Sequence, residues 1–454
     1  MATLRCLALS LGLVACSRSG GANLTPPAPE PSSEDPVRSD PPELAPPAAK
    51  VVPDTVTATP AGPSAFTVET AHYQLYAEAP EDQALDMGHL LEAAYGAFGA
   101  WFHAAPPLAA GERLQVRYYA DAIHWASALA EGGIVAPTEA AGYYAPSTRT
   151  AYLFQQGNPY YSHVLLVHEA THQYHQLSRT RGQELPFWYG EGHAEYLSRH
   201  DWDGRTLRLG VTPMLSWEDI AAHAGSAVSG LDVAAIVSGA AAPDRAAAWA
   251  LFRHLDQGPQ HDAFQRFRDA VDAGEIDAAR GFAALVGDPA AVSASLDAWL
   301  PGAQEPMKPI FTEWIHVGPG AVTAESRSYF SLAIVKDPVS HFEARWDATP
   351  VATGAVGVVL AYQDDKDYEA LVAAPDGSLR TFTATAGSTQ WNDAGTAPAP
   401  SGSVGTIAVD FGAGGAVTVT VNGAASTRSI GTLPASAGLA VSDGRVAFHH
   451  VAWR

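Results

Sequence analysis

Two histidines four residues apart, with a glutamate beside the first, occur in the segment HEATH at 168–172. On a helix, His168 and His172 would lie on one face, about 6 Å apart along the axis, so that both imidazoles can bind one metal ion. Glu169 would point away from that pair and could take a proton from a water molecule beside the ion. Asn158 and Pro159 provide a helix start before the segment. The spacing therefore predicts one half of a hydrolytic metal site.

A third ligand is needed, and the segment WYGEGHAEY at 188–196 offers Glu191. Eighteen residues separate Glu191 from His172, and this arrangement resembles the third-ligand helix of gluzincin metallopeptidases. Gluzincins commonly carry an acidic residue four positions later, which accepts the imidazole N–H of the first histidine ligand. The resemblance assigns that role to Glu195. The alternative interpretation of Glu195 is a solvated carboxylate on the helix surface.

Two other histidines near the motif are weaker ligand candidates. His175 lies one further turn along the same helix, and three ligands on one straight helix cannot surround an ion. We therefore expect His175 to lie beside the ligands or at the surface. His193 would point about 200° away from Glu191 around its helix and is not expected to be a ligand. The metzincin class is excluded, because His175 and Ser178 stand where that class has glycine and histidine.

From about residue 66 to residue 300, the chain resembles uncharacterised bacterial families of the peptidase-MA-like superfamily. The similarity lies in HEATHQ at 168–173, LPFWYGEGHAEY at 185–196 and AWALFRHL at 248–255. It implies a thermolysin-like zincin fold, in which a small twisted sheet lies above the metal helix and its edge strand lines the cleft. Thr150–Phe154, just before that helix, is the expected edge strand, to which a substrate backbone would add.

The same resemblance implies a zinc metallopeptidase with one Zn²⁺ per chain. His168, His172 and Glu191 would hold the ion, the pKa of its water would fall to about 7, and Glu169 would be the general base that cleaves a peptide bond. The GxMEN element of zincin aminopeptidases is absent from the sequence, so we expect an endopeptidase. The donor that stabilises the oxyanion stays open among Tyr143, Tyr144, Tyr160, Tyr161 and His223.

The N-terminus has the pattern of an export signal. Residues 1–16 combine one arginine with a short apolar stretch, and LVAC at 13–16 resembles the lipobox of bacterial lipoproteins. We expect Cys16 to be lipidated, which makes the chain an exported, membrane-anchored bacterial lipoprotein on the periplasmic or cell-surface face. In the alternative, the signal is ordinary and Cys16 is incidental. Residues 17–63 contain twelve prolines and no aromatic residue, which predicts a disordered stalk.

Composition and the C-terminal third complete the sequence picture. With 48 acidic and 26 basic residues, the net charge of −22 argues against nucleic acid as a partner.

From about residue 306, short β-rich runs alternate with turns, and VGVVLAY at 356–362, VNG at 421–423 and GLAV at 438–441 resemble laminin-G-like and concanavalin-like jelly rolls. The resemblance implies a carbohydrate or surface ligand, or a structural domain without a ligand.

We thus expect an α+β zincin (thermolysin-like) catalytic domain at 64–305 and an all-β jelly-roll sandwich at 306–454, preceded by the signal peptide and the stalk. The leading hypothesis is a lipid-anchored, extracytoplasmic zinc endopeptidase that acts on a peptide or protein. One alternative is a catalytically silent surface-binding or adhesion protein that uses the zincin scaffold and the sandwich. Another is an enzyme that cleaves a cell-wall amide.

Overall fold

Mixed α and β elements come first along the chain, and an entirely β region follows. The structure is a computed structural model that describes residues 49–50, 56–137, 140–180, 185–214, 230–299, 306–311, 313–318, 320–347, 355–374, 376–400, 404–430 and 433–454. All of these residues belong to one compact unit, Pro41–Arg454. The predicted lipidation site Cys16, most of the predicted stalk and His223 lie outside the described residues. None of the described helices is long and apolar enough to cross a membrane.

The first region contains short strands and helices in alternation. Its strands are β1 Ala49–Lys50, β2 Thr57–Gly62, β3 Ala65–Glu69, β4 Tyr73–Ala77, β5 Leu114–Tyr119, β6 Gly142–Ala145, β7 Thr150–Phe154, β8 His200–Trp202, β9 Thr206–Leu209 and β10 Thr212–Pro213. Its helices are α1 Glu81–Phe102, α2 Ala122–Glu131, α3 Pro159–His175, α4 Phe187–Ser198, α5 Val233–Val237, α6 Arg245–Gln257, α7 His261–Asp272, α8 Ala278–Leu285 and α9 Pro289–Trp299.

A mixed sheet with the strand order β2-β3-β4-β5-β7-β6 forms the centre of this region. β4, β5 and β7 run parallel, and the remaining pairs are antiparallel. α1 and α3 cover one face, where Leu91 and Val167 share a core with Val116 of the sheet. α2 covers the other face, where Trp125 packs with Tyr152. The sheet therefore holds α3 firmly on one side, with β6 at its open edge.

Two expectations about this sheet are wrong. Thr150–Phe154 is not the edge strand, because β7 lies between β5 and β6, and β6 forms the edge. The apolar run TAYLF suits an inner strand, since its first four residues are buried. The predicted stalk also extends too far, because β2 pairs with β3 and β1 pairs with β9. Pro60 is compatible with β2 because β2 is the other edge strand.

The C-terminal region is an all-β sandwich, as predicted. Its strands are β11 Met307–Ile310, β12 Trp314–Gly318, β13 Ala321–Val335, β14 His341–Asp347, β15 Ala355–Asp364, β16 Asp367–Ala373, β17 Ser378–Thr385, β18 Ser388–Thr396, β19 Val404–Phe411, β20 Ala416–Val421, β21 Ala424–Ser429 and β22 Ala435–Trp453. The long strand β22 pairs with β15 and with β14, and so joins the two halves of the strand order β18-β17-β16-β15-β22-β14-β19-β20-β21. Phe342 and Val409 of one half share a core with Val358 and Leu371 of the other.

Backbone strand pairing and an ion-pair cluster connect the sandwich to the first region. β10 pairs with β12, so a strand of the first region belongs to the sheet of the second. Asp201 is only 1% exposed. Its Oδ1 accepts hydrogen bonds from Arg445 and Thr323 of the sandwich, and its Oδ2 accepts one from Arg208. The boundary predicted near residue 305 therefore separates two cores but not two independent bodies.

Candidate metal centre

α3 directs both histidines of the HEATH segment toward the same point, with His168 buried and the side chain of His172 23% exposed. Asn158 caps the helix by accepting the N–H of Tyr160 at 2.8 Å, and Pro159 takes the first turn. The helix is anchored by buried residues of the core around it. As a result, Nε2 of His172 lies 3.1 Å from Nε2 of His168. The two ring nitrogens converge on one point, as the spacing predicts.

α4 brings the third side chain to the same point. It packs between α3 and α6, and Gly192 allows this because a β-carbon there would lie 2.8 Å from Cδ2 of Phe252 on α6. Glu191 extends from α4 toward the histidines, with Oε2 3.4 Å from Nε2 of His168 and Oε1 3.5 Å from Nε2 of His172. One ligand atom from each of the three residues lies within 4.8 Å of the other two.

The geometry of these three side chains fits a catalytic zinc ion. Two ligands at 2.0–2.1 Å from a tetrahedral ion are about 3.3 Å apart, and the observed separations are 3.1–3.5 Å. Oε2 of Glu191 is buried and makes no hydrogen bond among the described residues, and the cationic Arg245 lies 3.4 Å from it. Two imidazoles and one glutamate also form the ligand set of known catalytic zinc sites that keep one position open.

The ionisation of two of the three ligands supports the same chemistry. Burial lowers the pKa of His168, but Glu195 and Glu191 outweigh this effect, and the pKa is instead raised. Burial, together with the neighbouring His168, lowers the pKa of His172 to about 3, so its ring is neutral near pH 7. Burial raises the pKa of Glu191, but contact with His168 and the charge of His172 lower it to about 2. A neutral imidazole and an ionised carboxylate are the forms that bind a metal.

Glu169 lies between α3 and the edge strand β6 and lines the same cleft as His172 and Glu191. Its side chain is 3% exposed, and the backbone N–H of Tyr144 donates to its carboxylate. Burial raises the pKa of Glu169 to about 7, against the lowering effect of His168 and Arg245. A carboxylate with this pKa is half protonated at neutral pH and can both accept and return a proton.

Glu195 lies one turn after Glu191 and is 5% exposed, which does not match the solvated alternative. Its Oε1 is 3.5 Å from Nδ1 of His168, the ring nitrogen that does not face the ligand cluster. Its Oε2 forms an ion pair with Arg199 at 2.8 Å. The carboxylate is thus held where it can orient the His168 ring, which is the position that the sequence-based interpretation assigns to it.

Arg245 is a residue of the site that sequence reasoning missed. It opens α6, which Asp244 caps by accepting the N–H of Ala247 at 2.7 Å. Its Nη1 lies 3.1 Å from Oε1 of Glu195 and 3.4 Å from Oε2 of Glu191, while about half of the side chain is exposed. Asp244 before a run of alanines indicates a helix start, but no spacing rule connects position 245 with the ligands.

His175 and His193 lie in a buried polar network behind the ligands. Nε2 of His175 is 2.8 Å from Oδ1 of Asp272, which also accepts the hydroxyl of Tyr189 at 2.9 Å. His193 directs Nδ1 toward the carbonyl oxygen of Tyr189 at 3.1 Å. Neither ring belongs to the ligand cluster, and the burial of His175 excludes the surface alternative.

Two of the tyrosines proposed as oxyanion donors are engaged elsewhere. Tyr160 donates to the carbonyl oxygen of His200 at 3.1 Å, and Tyr161 donates to Glu313 at 3.4 Å. Tyr143 and Tyr144 both line the cleft that contains Glu169 and Glu191, and the buried hydroxyl of Tyr144 has no hydrogen-bond partner among the described residues. Arg245 is a further donor beside the ligand atoms, with Nη1 3.1 Å from Nε2 of His168.

An open cleft leads to the ligands. Its volume is about 430 Å³, a size typical of ligand pockets. One wall is formed by polar groups of the site, and the rest is largely apolar. The polar wall contains Glu169, His172, Glu191 and Arg245, and the apolar lining contains Pro137, Ala140, Tyr143, Leu185, Pro186 and Phe187.

Comparisons with known proteins concern the sandwich region and are distant. No family model matches the chain, and no curated protein matches it. A carbohydrate-binding module of family 66 from Bacillus subtilis is 14% identical over 32% of this chain and 93% of its own, with a TM-score of 0.28. The galectin LEC-6 from Caenorhabditis elegans is 14% identical over 32% of this chain and 95% of its own, with a TM-score of 0.22. Chicken galectin 2 is 12% identical over 28% of this chain and 100% of its own, with a TM-score of 0.23. TM-scores and identities this low establish no common ligand or function.

Proposed function

We propose that the chain is a zinc-dependent metallopeptidase that cleaves peptide bonds within proteins. The observation that carries the proposal is the convergence of His168, His172 and Glu191 on one point, with Glu169 buried beside it. An adhesion scaffold would need neither this ligand set nor a carboxylate with a pKa of about 7. The proposal also uses the order of the ligands along the chain, in which the two histidines precede Glu191 as they do in gluzincins.

In the proposed mechanism, His168, His172 and Glu191 would hold the zinc ion, which would supply Lewis-acid chemistry and make water in the site more acidic. Glu195 holds Nδ1–H of His168 and so fixes the ring with Nε2 toward the ligand point. Glu169 accepts the proton of the attacking water and then gives it to the leaving amine nitrogen. Arg245 presents its guanidinium to the carbonyl oxygen as negative charge develops there.

The substrate is proposed to bind as an extended segment along β6. Among the described strands, β6 pairs only with β7. The N–H of Tyr144 donates to Glu169, and the other outer backbone groups of β6 are proposed to pair with the substrate. A peptide added there would pass the cleft beside Glu169. The apolar lining around Phe187 and Leu185 favours an uncharged side chain next to the scissile bond.

The experiment that tests the function is a cleavage panel on the chain from residue 17 to residue 454, which keeps all described elements. Denatured proteins, folded proteins and peptidoglycan are incubated with wild type, with Glu169→Gln and with wild type plus a chelator. We expect protein cleavage that the chelator stops and that zinc restores. Cleavage of peptidoglycan alone would indicate an enzyme that hydrolyses a cell-wall amide instead of a protein. Full cleavage by Glu169→Gln would contradict the role of Glu169 as the general base.

We also propose that Cys16 carries a lipid that holds the enzyme on an extracytoplasmic membrane face. The lipobox-like segment at 13–16 supports this proposal. In cells, Cys16→Ser should move the protein from the membrane fraction to the soluble fraction. Unchanged membrane association in that variant would contradict lipid anchoring through Cys16.

A second candidate function concerns the sandwich, as a carbohydrate- or surface-binding region. Trp391 on β18 is 45% exposed and packs against Phe382, which stacks on Phe330. Such an exposed ring can lie against the apolar face of a sugar. Binding of the chain to a polysaccharide panel, lost in Trp391→Ala, would support this candidate, and equal binding by the variant would oppose it.

A further inference from the structure

Gly142 in the edge strand β6 borders the proposed general base. A β-carbon at position 142 would lie 2.7 Å from Oε1 and 2.9 Å from Cγ of Glu169, and 2.9 Å from Cδ1 of Leu165. Non-bonded carbon atoms normally stay about 3.5–4.0 Å apart, so these atoms would have to move. The φ angle of Gly142 is not positive, and therefore the backbone itself does not require glycine. The requirement for glycine at this position is steric.

Glu169 has little freedom to give way. Its side chain is buried, with α3 on one side and β6 on the other. The N–H of Tyr144, two residues along the same strand, donates to the carboxylate and fixes it against β6. A side chain at position 142 would push the carboxylate away from this donor, because the contact involves Cγ as well as the terminal oxygen.

We propose that Gly142 is a positioning residue for Glu169: the missing side chain at 142 lets the carboxylate lie against the edge strand, where the N–H of Tyr144 orients it. The catalytic part of this inference rests on the proposed function, but the steric part does not. The same strand is the one along which the substrate is proposed to lie. Gly142 therefore ties the position of the base to the position of the substrate backbone.

The steric part is tested by a double-mutant cycle on stability in the chain from residue 17 to residue 454. Gly142→Ala, Glu169→Ala and the double variant are unfolded in urea, with Gly96→Ala as control, since a β-carbon at Gly96 meets no atom within 4 Å. We expect Gly142→Ala to lower the midpoint, and to lower it much less in the Glu169→Ala background. Equal losses in both backgrounds would overturn the proposal, because the side chain at 142 would then not act on Glu169.

The catalytic part is tested by kinetics on the protein substrate identified by the cleavage panel. Gly142→Ala should keep its zinc and its KM but lose about tenfold or more in kcat, since a displacement near 1 Å can cost about a hundredfold. Glu169→Asp shortens the base by one methylene and removes the contact with Oε1 but keeps Cγ, so it relieves the clash in part. The loss from Gly142→Ala should therefore be smaller in the Glu169→Asp background than in wild type.

Two results would overturn the proposal at this stage. If Leu165→Val, and not Glu169→Asp, restores the Gly142→Ala variant, the clash acts through Leu165. If Gly142→Ala loses zinc, its effect runs through the ligands and not through Glu169. A wild type without zinc and without cleavage would instead remove the proposed function, and the stability cycle would still decide the steric claim.

Discussion

The buried position of Glu169 has a consequence for stability that needs no substrate. In the folded chain without metal, burial raises the pKa of this carboxyl from its ordinary 4.5 to about 7. A raised pKa means that the folded state binds the proton more tightly than the unfolded state. The contribution to stability is therefore complete below pH 4.5 and is lost as the pH rises through 7.

The size of the stability loss follows from the size of the pKa shift of Glu169. A shift from 4.5 to about 7 corresponds to about 3 kcal/mol in the free energy of unfolding, at about 1.4 kcal/mol per pKa unit. Glu169→Gln has no proton to lose, and its neutral amide avoids the cost of burying a charge. In the presence of a chelator, the stability of Glu169→Gln relative to wild type should thus increase by about 3 kcal/mol between pH 4.5 and pH 8.5.

The assay is urea unfolding of both proteins with a chelator at several pH values, followed by tryptophan fluorescence. Most other titrating groups are common to both proteins, so the difference between the two curves isolates position 169. A difference that stays constant with pH would refute the reasoning, because Glu169 would then have an ordinary pKa in the folded chain. A difference that shrinks with rising pH would show that the carboxylate is stabilised and not destabilised by its surroundings.

The remaining predictions concern the surroundings of the ligands and the sandwich. Glu195→Gln should bind zinc about 10- to 100-fold more weakly, measured by competition with a chelating dye, because His168 loses the carboxylate that orients it; unchanged affinity would contradict that role. Arg245→Ala should keep zinc but lose about tenfold or more in kcat, and a full kcat would exclude Arg245 as the oxyanion donor. Asp201→Asn should lower the free energy of unfolding by about 3 kcal/mol, because Arg445 loses its buried partner. The exposed Asp365→Asn is the control, and equal effects of these two variants would contradict the fastening role of Asp201.

The ligand spacing could be derived from the sequence because it depends on local helix geometry. His168 and His172 share a face whenever their segment is helical, and Glu195 follows Glu191 on one face for the same reason. The structure brings all four side chains together, and Nδ1 of His168 indeed faces Glu195. Their binding of zinc stays a prediction.

Long-range features were beyond sequence reasoning. The edge strand was assigned to Thr150–Phe154 because that run precedes the metal helix, but strand order depends on pairing between distant segments. β7 pairs in parallel with the distant β5 and, through a short hairpin, with β6, so that β7 is an inner strand and β6 takes the edge. Arg245 was missed for the same reason, since it reaches the ligands only after the whole of α4 and the segments beyond it have been placed.

Composition misled the boundary of the stalk. Residues 49–62 contain two prolines and three alanines beside three valines and three threonines, and Thr57–Gly62 forms a strand because β3 offers it an open edge. The link between the two regions was also hidden, because Thr212–Pro213 is too short to be recognised as a strand without β12. Such short segments acquire their structure from their partners and not from their own residues.

The measurement that tests the central claim most directly is the metal content of the purified chain from residue 17 to residue 454, determined by elemental mass spectrometry beside Glu191→Ala. The account predicts one zinc per chain in wild type and a large loss in the variant, because Glu191 supplies the third ligand atom. No zinc in wild type, even after zinc is added back, would contradict the metal centre. Equal zinc in both proteins would mean that Glu191 is not the third ligand.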